Sequence, residues 1–169
     1  MSPQTAGSVL MAQPIMMAVL SPFAGRLSDR TEPRLFATAG MIITVIGVSL
    51  FSMLQSDTQS YLIVANLILL GTGFALFSSP NMNAIMGSVE KRYYGLASGT
   101  VATMRLLGQM LSMAMATVVL SLIIGHQAIT PENYDLFLGG IHRVFLISAV
   151  LCLSGVYFSW YRGALFQVE

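Results

Sequence analysis

Five long apolar stretches, separated by short polar connections, dominate this chain. They lie at residues 6–24, 35–54, 61–79, 96–124 and 144–161, and only the fourth contains a charged side chain, Arg105. Each is near the roughly 20 residues that a helix needs to cross a bilayer. The strict alternation typical of β-barrel strands is absent. The pattern therefore predicts an all-α membrane protein with five transmembrane helices, in which residues 1–169 form a single transmembrane region.

The composition excludes several other classes of protein. Hydrophobic residues make up 55% of the chain and charged residues 9%, against roughly 25% charged in soluble domains. Disordered chains are polar and highly charged, so disorder is excluded as well. The net charge of +1 forms no basic stripe, which argues against nucleic acid as a partner. The lipid bilayer is the partner that this composition predicts.

The distribution of Lys and Arg over the connections predicts the orientation, because basic residues concentrate in cytoplasmic loops. The first and third connections and the C-terminus are basic, whereas the second has no Lys or Arg and the fourth has one. The residues concerned are Arg26, Arg30, Arg34, Lys91, Arg92 and Arg162 on one side and Arg143 on the other. We expect the N-terminus outside and the C-terminus in the cytoplasm, in the inner (plasma) membrane.

The first connection, Gly25-Arg-Leu-Ser-Asp-Arg-Thr-Glu-Pro-Arg34, is the most charged segment. A carboxylate such as Asp29 can accept hydrogen bonds from the free N–H groups of a helix start and interact with its dipole. The arginines can pair with it or with lipid headgroups. Such a cluster can hold two helix bundles together at the cytoplasmic face. The alternative is a charged turn that only sets the topology.

This connection resembles the cytoplasmic loop motif of the major facilitator superfamily. Gly25, Asp29, Arg30 and Arg34 match the motif, while Glu32 and Pro33 stand where it usually has Gly and Arg, as in a weaker second-half copy. The segments Ser2-Pro-Gln-Thr-Ala-Gly7 and Tyr94-Gly-Leu-Ala-Ser-Gly99 are similar to the C-terminal part of fourteen-span drug:proton antiporters. The resemblance implies a partial major facilitator fold.

The resemblance also implies a function. The whole protein would export drugs or other hydrophobic or cationic compounds in exchange for protons, by alternating access, with the matching loop residues as a cytoplasmic gating motif. No predicted span contains Asp or Glu, so the resemblance places the proton-binding carboxylates in N-terminal helices missing before Met1. The alternative is a truncated remnant that does not transport, or a helper subunit that packs against another membrane protein.

Arg105 is the most informative residue within a span, because a charge there costs a few kcal/mol or more unless it faces a cavity or a partner. Helical spacing places small and polar residues on its face: Ser98, Ala102, Arg105, Gln109, Ser112 and Ala116. Arg105, Gln109 and Ser112 are candidates for a substrate pathway; the alternative is a structural bond to a neighbouring helix. Gln13 and Asn66 are further candidates, with a helix–helix hydrogen bond as the alternative for each.

Glycines are expected to serve two purposes. The Gly95-x-x-x-Gly99 pattern, continued by Gly108, predicts close helix packing, and Gly71 and Gly73 are candidates for a bend in the third span. No zinc-protease, serine-hydrolase or phosphate-loop motif is present, so we expect neither an enzyme nor a cofactor. His126 and His142 lack partners at metal-ligand spacing, and no metal site is expected.

Overall fold

A computed structural model describes residues 3–28, 33–55, 58–125 and 134–161, and their regular structure is entirely helical. This confirms the all-α prediction. A short 3-10 turn, Lys91–Tyr93, precedes the fifth helix. The helices are α1 Pro3–Leu10, α2 Ala12–Ser28, α3 Pro33–Phe51, α4 Ser60–Gly87, α5 Tyr94–Ile124 and α6 Tyr134–Tyr161.

Four apolar segments are long enough to cross a membrane: Gln4–Ser28, Ser60–Gly87, Lys91–Ile124 and Tyr134–Trp160. The first comprises α1 and α2, since backbone bonds from Met11 N to Gly7 O (3.2 Å) and from Ile15 N to Met11 O (3.1 Å) continue across the break between them. The apolar part of α3, Leu35–Phe51, is shorter and is at the lower end of the length that spans a bilayer.

Two helices extend beyond their predicted limits. The third predicted span ends at residue 79, but α4 continues through Pro80 to Gly87. Proline is tolerated in membrane helices where neighbouring groups compensate for its missing donor, and Pro80 is fully buried. The fifth predicted span begins at residue 144, but α6 begins at Tyr134. Its polar His142 is accommodated by a hydrogen bond between Nε2 and the Leu54 carbonyl oxygen.

The packing order of the helices is α2, α4, α3, α6, α5. Helix α4 lies between α2 and α3, α3 contacts α6, and α6 contacts α5, while α5 barely touches α4. No residue of α5 is buried. Helix α5 therefore lies at one edge of the described helices, and most of its surface is not covered by another described helix.

The contact between α3 and α4 depends on glycines. A Cβ atom added at Gly40 would lie 2.6 Å from both Gly73 O and Phe77 N, and one added at Gly73 would lie 2.7 Å from Thr44 Oγ1. Small residues allow this approach, and close packing is a main source of helix association in membranes. Gly73 thus serves packing in the structure, and its role in a bend stays a prediction.

Helix α6 is attached to α3 near both ends. The rings of Phe51 and Phe145 stack with their centroids 5.3 Å apart, close to the bond that joins His142 to Leu54. At the other end, the hydroxyl groups of Thr38 and Ser159 are 3.0 Å apart and share a hydrogen bond. These contacts fix α6, and α6 in turn fixes the position of α5.

We predict that Gly40→Ala lowers the free energy of unfolding by about 1 to 3 kcal/mol, because the new methyl group would meet backbone atoms that cannot move aside. Gly139→Ala is the matched control, since a Cβ there has no neighbour within 4 Å. Thermal unfolding of the purified protein in detergent should show a lower midpoint for the first variant only. Equal midpoints for both variants would contradict the proposed contact.

Candidate functional site

An open groove of about 1390 Å³ lies between α4 and α5, with α2 contributing to one wall. On α5 it runs from Leu96 to Ser112, a distance of about 24 Å at 1.5 Å per residue. On α4 it runs from Phe74 to Ile85, and Ser88 and Val89, just after the helix, continue the lining. The groove exists because α5 packs on α6 and leaves α4 almost uncontacted.

Arg105 lies in the middle part of this groove and reaches α4. Its Nη2 atom donates to Ser78 Oγ over 3.4 Å, which is long for a hydrogen bond from a charged group. Among the described residues this is its one recorded polar partner, and no carboxylate pairs with it. Arg105 lies eleven residues after Tyr94, the first residue of α5, and is therefore about 16 Å along the helix.

Gln109 and Ser112 line the same groove, one and two turns beyond Arg105, and Gln13 lines it from α2. The position of Gln13 follows from the contact between α2 and α4: a Cβ added at Gly71 would lie 2.6 Å from Gln13 O. Four of the five predicted pathway residues are thus brought together around one groove.

The helical face of α5 that lines the groove differs in part from the predicted stripe. Ser98, Ala102 and Ala116 are not part of the lining, which includes Ala97, Val101, Met104 and Gly108. The physical reason is the contact with α6, where a Cβ added at Gly140 would lie 2.8 Å from Leu120 Cδ2. That contact sets the rotation of α5, and the sequence of α5 alone does not contain it.

Asn66, the fifth predicted residue, lies outside the groove. It is 8% exposed and packs between α3 and α4, where its Nδ2 atom donates to Gly47 O over 2.9 Å. This is the helix–helix bond that was the alternative interpretation. Its Oδ1 atom has no hydrogen-bond partner among the described atoms.

The structure describes only part of the predicted cytoplasmic motif. Asp29 and Arg30 lie outside the described residues, as does the Arg34 side chain. Gly25 contacts α4, since a Cβ there would lie 2.9 Å from Ser79 Oγ.

Sequence reasoning missed the residues that attach this end of α2 to α4. Ser28, which is 3% exposed, donates to Gly25 O over 3.0 Å and accepts from Asn83 Nδ2 over 3.2 Å. The polar run Ser78-Ser-Pro-Asn-Met-Asn83 was the signal, and it was interpreted as the start of a loop.

The groove is also lined by Ser78, Asn81, Ser88, Glu90 and Thr100. The rest of the wall is mainly apolar and includes a group of aromatic and thioether side chains. Its members are Met17, Phe74, Phe77, Met82, Tyr93 and Met104. Throughout the described ranges, no group of three or more His, Cys, Asp and Glu side chains is placed to hold a metal ion. The groove can therefore offer apolar surface and a few hydrogen-bond donors to a ligand.

Comparison with known proteins gives one family. The model of the Major Facilitator Superfamily matches residues 1–165. The riboflavin transporter RibZ of Clostridioides difficile is 26% identical over 156 residues, which are 92% of this chain and 34% of RibZ. No solved structure matches the chain.

Two further relatives have names that refer to resistance. The multidrug resistance protein Stp of Mycobacterium tuberculosis is 28% identical over 120 residues, or 71% of this chain and 22% of Stp. The lincomycin resistance protein LmrB of Listeria innocua is 22% identical over 158 residues, or 90% of this chain and 34% of LmrB. The chain spans about a third or less of the length of these relatives.

We predict that water reaches the groove. In a Cys152→Ser background, which removes the native thiol, a cysteine at Ser112 should react with a water-soluble methanethiosulfonate about tenfold faster than one at Leu111, because the thiolate that reacts forms in water. Leu111 is 71% exposed but does not line the groove, so it is the matched control. Equal labelling rates would show that the groove is not an aqueous pathway.

Proposed function

The chain belongs to the major facilitator superfamily, and from that premise we propose that it forms part of a proton-coupled exporter of drugs or other hydrophobic compounds. The family and the transporter names of its relatives indicate transport and not an enzyme activity. The observation that carries the proposal is the groove between α4 and α5, where polar side chains of three helices meet an apolar wall.

Drugs are the proposed substrate class for two reasons. Stp and LmrB are named for multidrug and lincomycin resistance. The groove wall of phenylalanine and methionine side chains suits varied hydrophobic compounds, because methionine is flexible and polarisable and adapts to different shapes. A few polar groups, Gln13, Gln109 and Ser112, would orient such a compound.

The packing of the helices supports transport by alternating access. The helices α2, α3 and α4 make backbone-to-backbone approaches at Gly40, Gly71 and Gly73, so we expect them to move as one body. The link between α4 and α5 is weak and includes the long Arg105–Ser78 bond. We propose that the groove opens and closes along this boundary.

Proton coupling needs a group that binds a proton within the membrane, usually a carboxylate. Glu90 and Asp135 are the acidic residues of the described ranges, and both lie at helix ends. We therefore propose that the proton-binding group comes from the rest of the transporter, since the chain spans only about a third of its relatives' length.

The cytoplasmic motif is proposed to act as a latch. Gly25 allows the end of α2 to lie against α4, and Asp29, Arg30 and Arg34 follow directly in the sequence. We propose that their charges hold the bundles together in one state and separate in the other. We also propose that the N-terminus lies outside and the C-terminus in the cytoplasm of the inner membrane, with residues 1–169 as one transmembrane region, because the basic residues concentrate in the first and third connections.

A second candidate function is a helper subunit that packs against another membrane protein. It is favoured by the free surface of α5, where Cβ atoms added at Gly95, Gly99 and Gly108 would have no neighbour within 4 Å. Those glycines were expected to pack, and inside the described part of the chain they have no packing partner. A helix from another part of a transporter would cover the same surface.

Everted vesicles from cells that produce the protein from its native locus test the proposal. A proton gradient with an acidic vesicle interior should drive uptake of the neutral hydrophobic dye Nile red, because protons would leave as the dye enters, and a protonophore should abolish the uptake. Vesicles from cells lacking the locus are the control. Uptake that does not depend on the proton gradient would exclude proton coupling. Absence of uptake for every hydrophobic probe would favour the helper subunit.

We predict that Asp29→Asn lowers this uptake about tenfold or more, because loss of one charge removes charge-assisted hydrogen bonds of the latch. Asp135→Asn, which removes the same charge from the first turn of α6, should leave uptake within about twofold of the unaltered protein, as expected of an exposed charge. Equal uptake by both variants would contradict the latch.

A further inference from the structure

The charges around the groove are unbalanced. Arg105 is its one charged side chain between the mouth, where Glu90 lies, and Ser112. Glu90 is already paired with Arg92, Oε2 to Nε, over 2.9 Å. Of the other acidic residues, the structure describes only Asp135, in the first turn of α6. The described walls therefore surround a positive charge that no carboxylate balances.

The guanidinium also has spare hydrogen-bond donors. Arginine carries five N–H donors in a planar fork that fits carboxylate and phosphate oxygens. In the described ranges Arg105 uses one of them, in the long bond to Ser78. Hydrogen bonds between two charged groups are stronger than those between neutral groups, which makes an anionic partner the expected complement of the guanidinium.

Aromatic side chains of α4 line the same groove as this charge. Phe74 and Ser78 are one turn apart on α4 and both line the groove, as does Phe77. A ligand that places an acidic group at Arg105 would therefore set its apolar portion against Phe74 and Phe77. Ring faces and edges pack well in offset or edge-to-face geometries, which favours an aromatic ligand.

We infer that this groove selects aromatic organic anions over lipophilic cations, an inference that rests on the proposed function and specifies its substrate class. A cation in the same place would meet the Arg105 guanidinium, which no described carboxylate balances, and would be repelled by its charge. This substrate class differs from the hydrophobic or cationic compounds that the sequence resemblance implies. Arg105 binds the acidic group, and the phenylalanines bind the ring.

Binding to the purified protein in detergent tests the inference without requiring transport. Fluorescein serves as the aromatic anion and ethidium as the aromatic cation, both followed by fluorescence anisotropy. Arg105→Ala should weaken fluorescein binding about tenfold or more, the size expected for loss of a charged hydrogen-bond partner. Arg105→Lys keeps the charge and should recover most of the affinity.

The matched control is Arg143→Ala, which removes the same charge from α6, away from the groove lining, and should leave fluorescein affinity unchanged. The inference is overturned if ethidium binds as tightly as fluorescein, or if Arg105→Ala leaves both affinities unchanged. The second result is also expected if a carboxylate from the rest of the transporter neutralises Arg105.

Transport by the everted vesicles separates the inference from the proposed function. Gradient-driven uptake of fluorescein in preference to ethidium, lost in Arg105→Ala while Nile red uptake remains, supports both. Uptake of ethidium and Nile red without fluorescein leaves proton-coupled export intact and overturns the anion preference. Fluorescein binding that depends on Arg105, without uptake of any probe, supports the site and overturns proton-coupled export.

Discussion

The close approach of α3 and α4 at Gly40 and Gly73 is the constraint on which the other helix positions depend. Lipid tails are as apolar as the helix surfaces, so burial gives little preference for one helix contact over another, and van der Waals packing between small residues decides. Once α3 occupies one side of α4, α2 takes a second side through Gly71. The remaining side of α4 carries Phe74, Phe77 and Ser78 and is left for the groove.

The position of α5 follows from this arrangement by way of α6. Helix α6 is held to α3 by the Phe51–Phe145 stack and the Thr38–Ser159 bond, and α5 packs on α6 and not on α4. The groove is therefore the space left by a chain of pairwise contacts. The polar residues of α5 that line the groove face this open space and are not pressed against an apolar helix surface.

Hydropathy predicted the all-α membrane architecture and placed Arg105, Gln109 and Ser112 on a shared surface, because apolar length and helical period are local properties of the sequence. The rotation of α5 and the burial of Asn66 against Gly47 were not predictable in the same way, since both depend on partner helices distant in sequence. The end of α4 was misplaced because Pro80 interrupts the pattern but, fully buried among its neighbours, does not end the helix. Spacing identifies small residues but does not identify the helix that approaches them, and the glycines of α5 have no neighbour within the described ranges.

The same contrast between strong and weak contacts connects packing to movement. Separating α3 from α4 would open backbone-to-backbone contacts along several turns, whereas separating α4 from α5 breaks mainly one long bond between Arg105 and Ser78. A change of state is therefore expected to occur at the groove, where the barrier is lowest. An anion bound at Arg105 would interact with both sides of that boundary, so its binding energy would differ between open and closed states. A ligand shifts a conformational equilibrium only through such a difference in binding energy. The free donors of Arg105 would supply this difference at the boundary that is proposed to move.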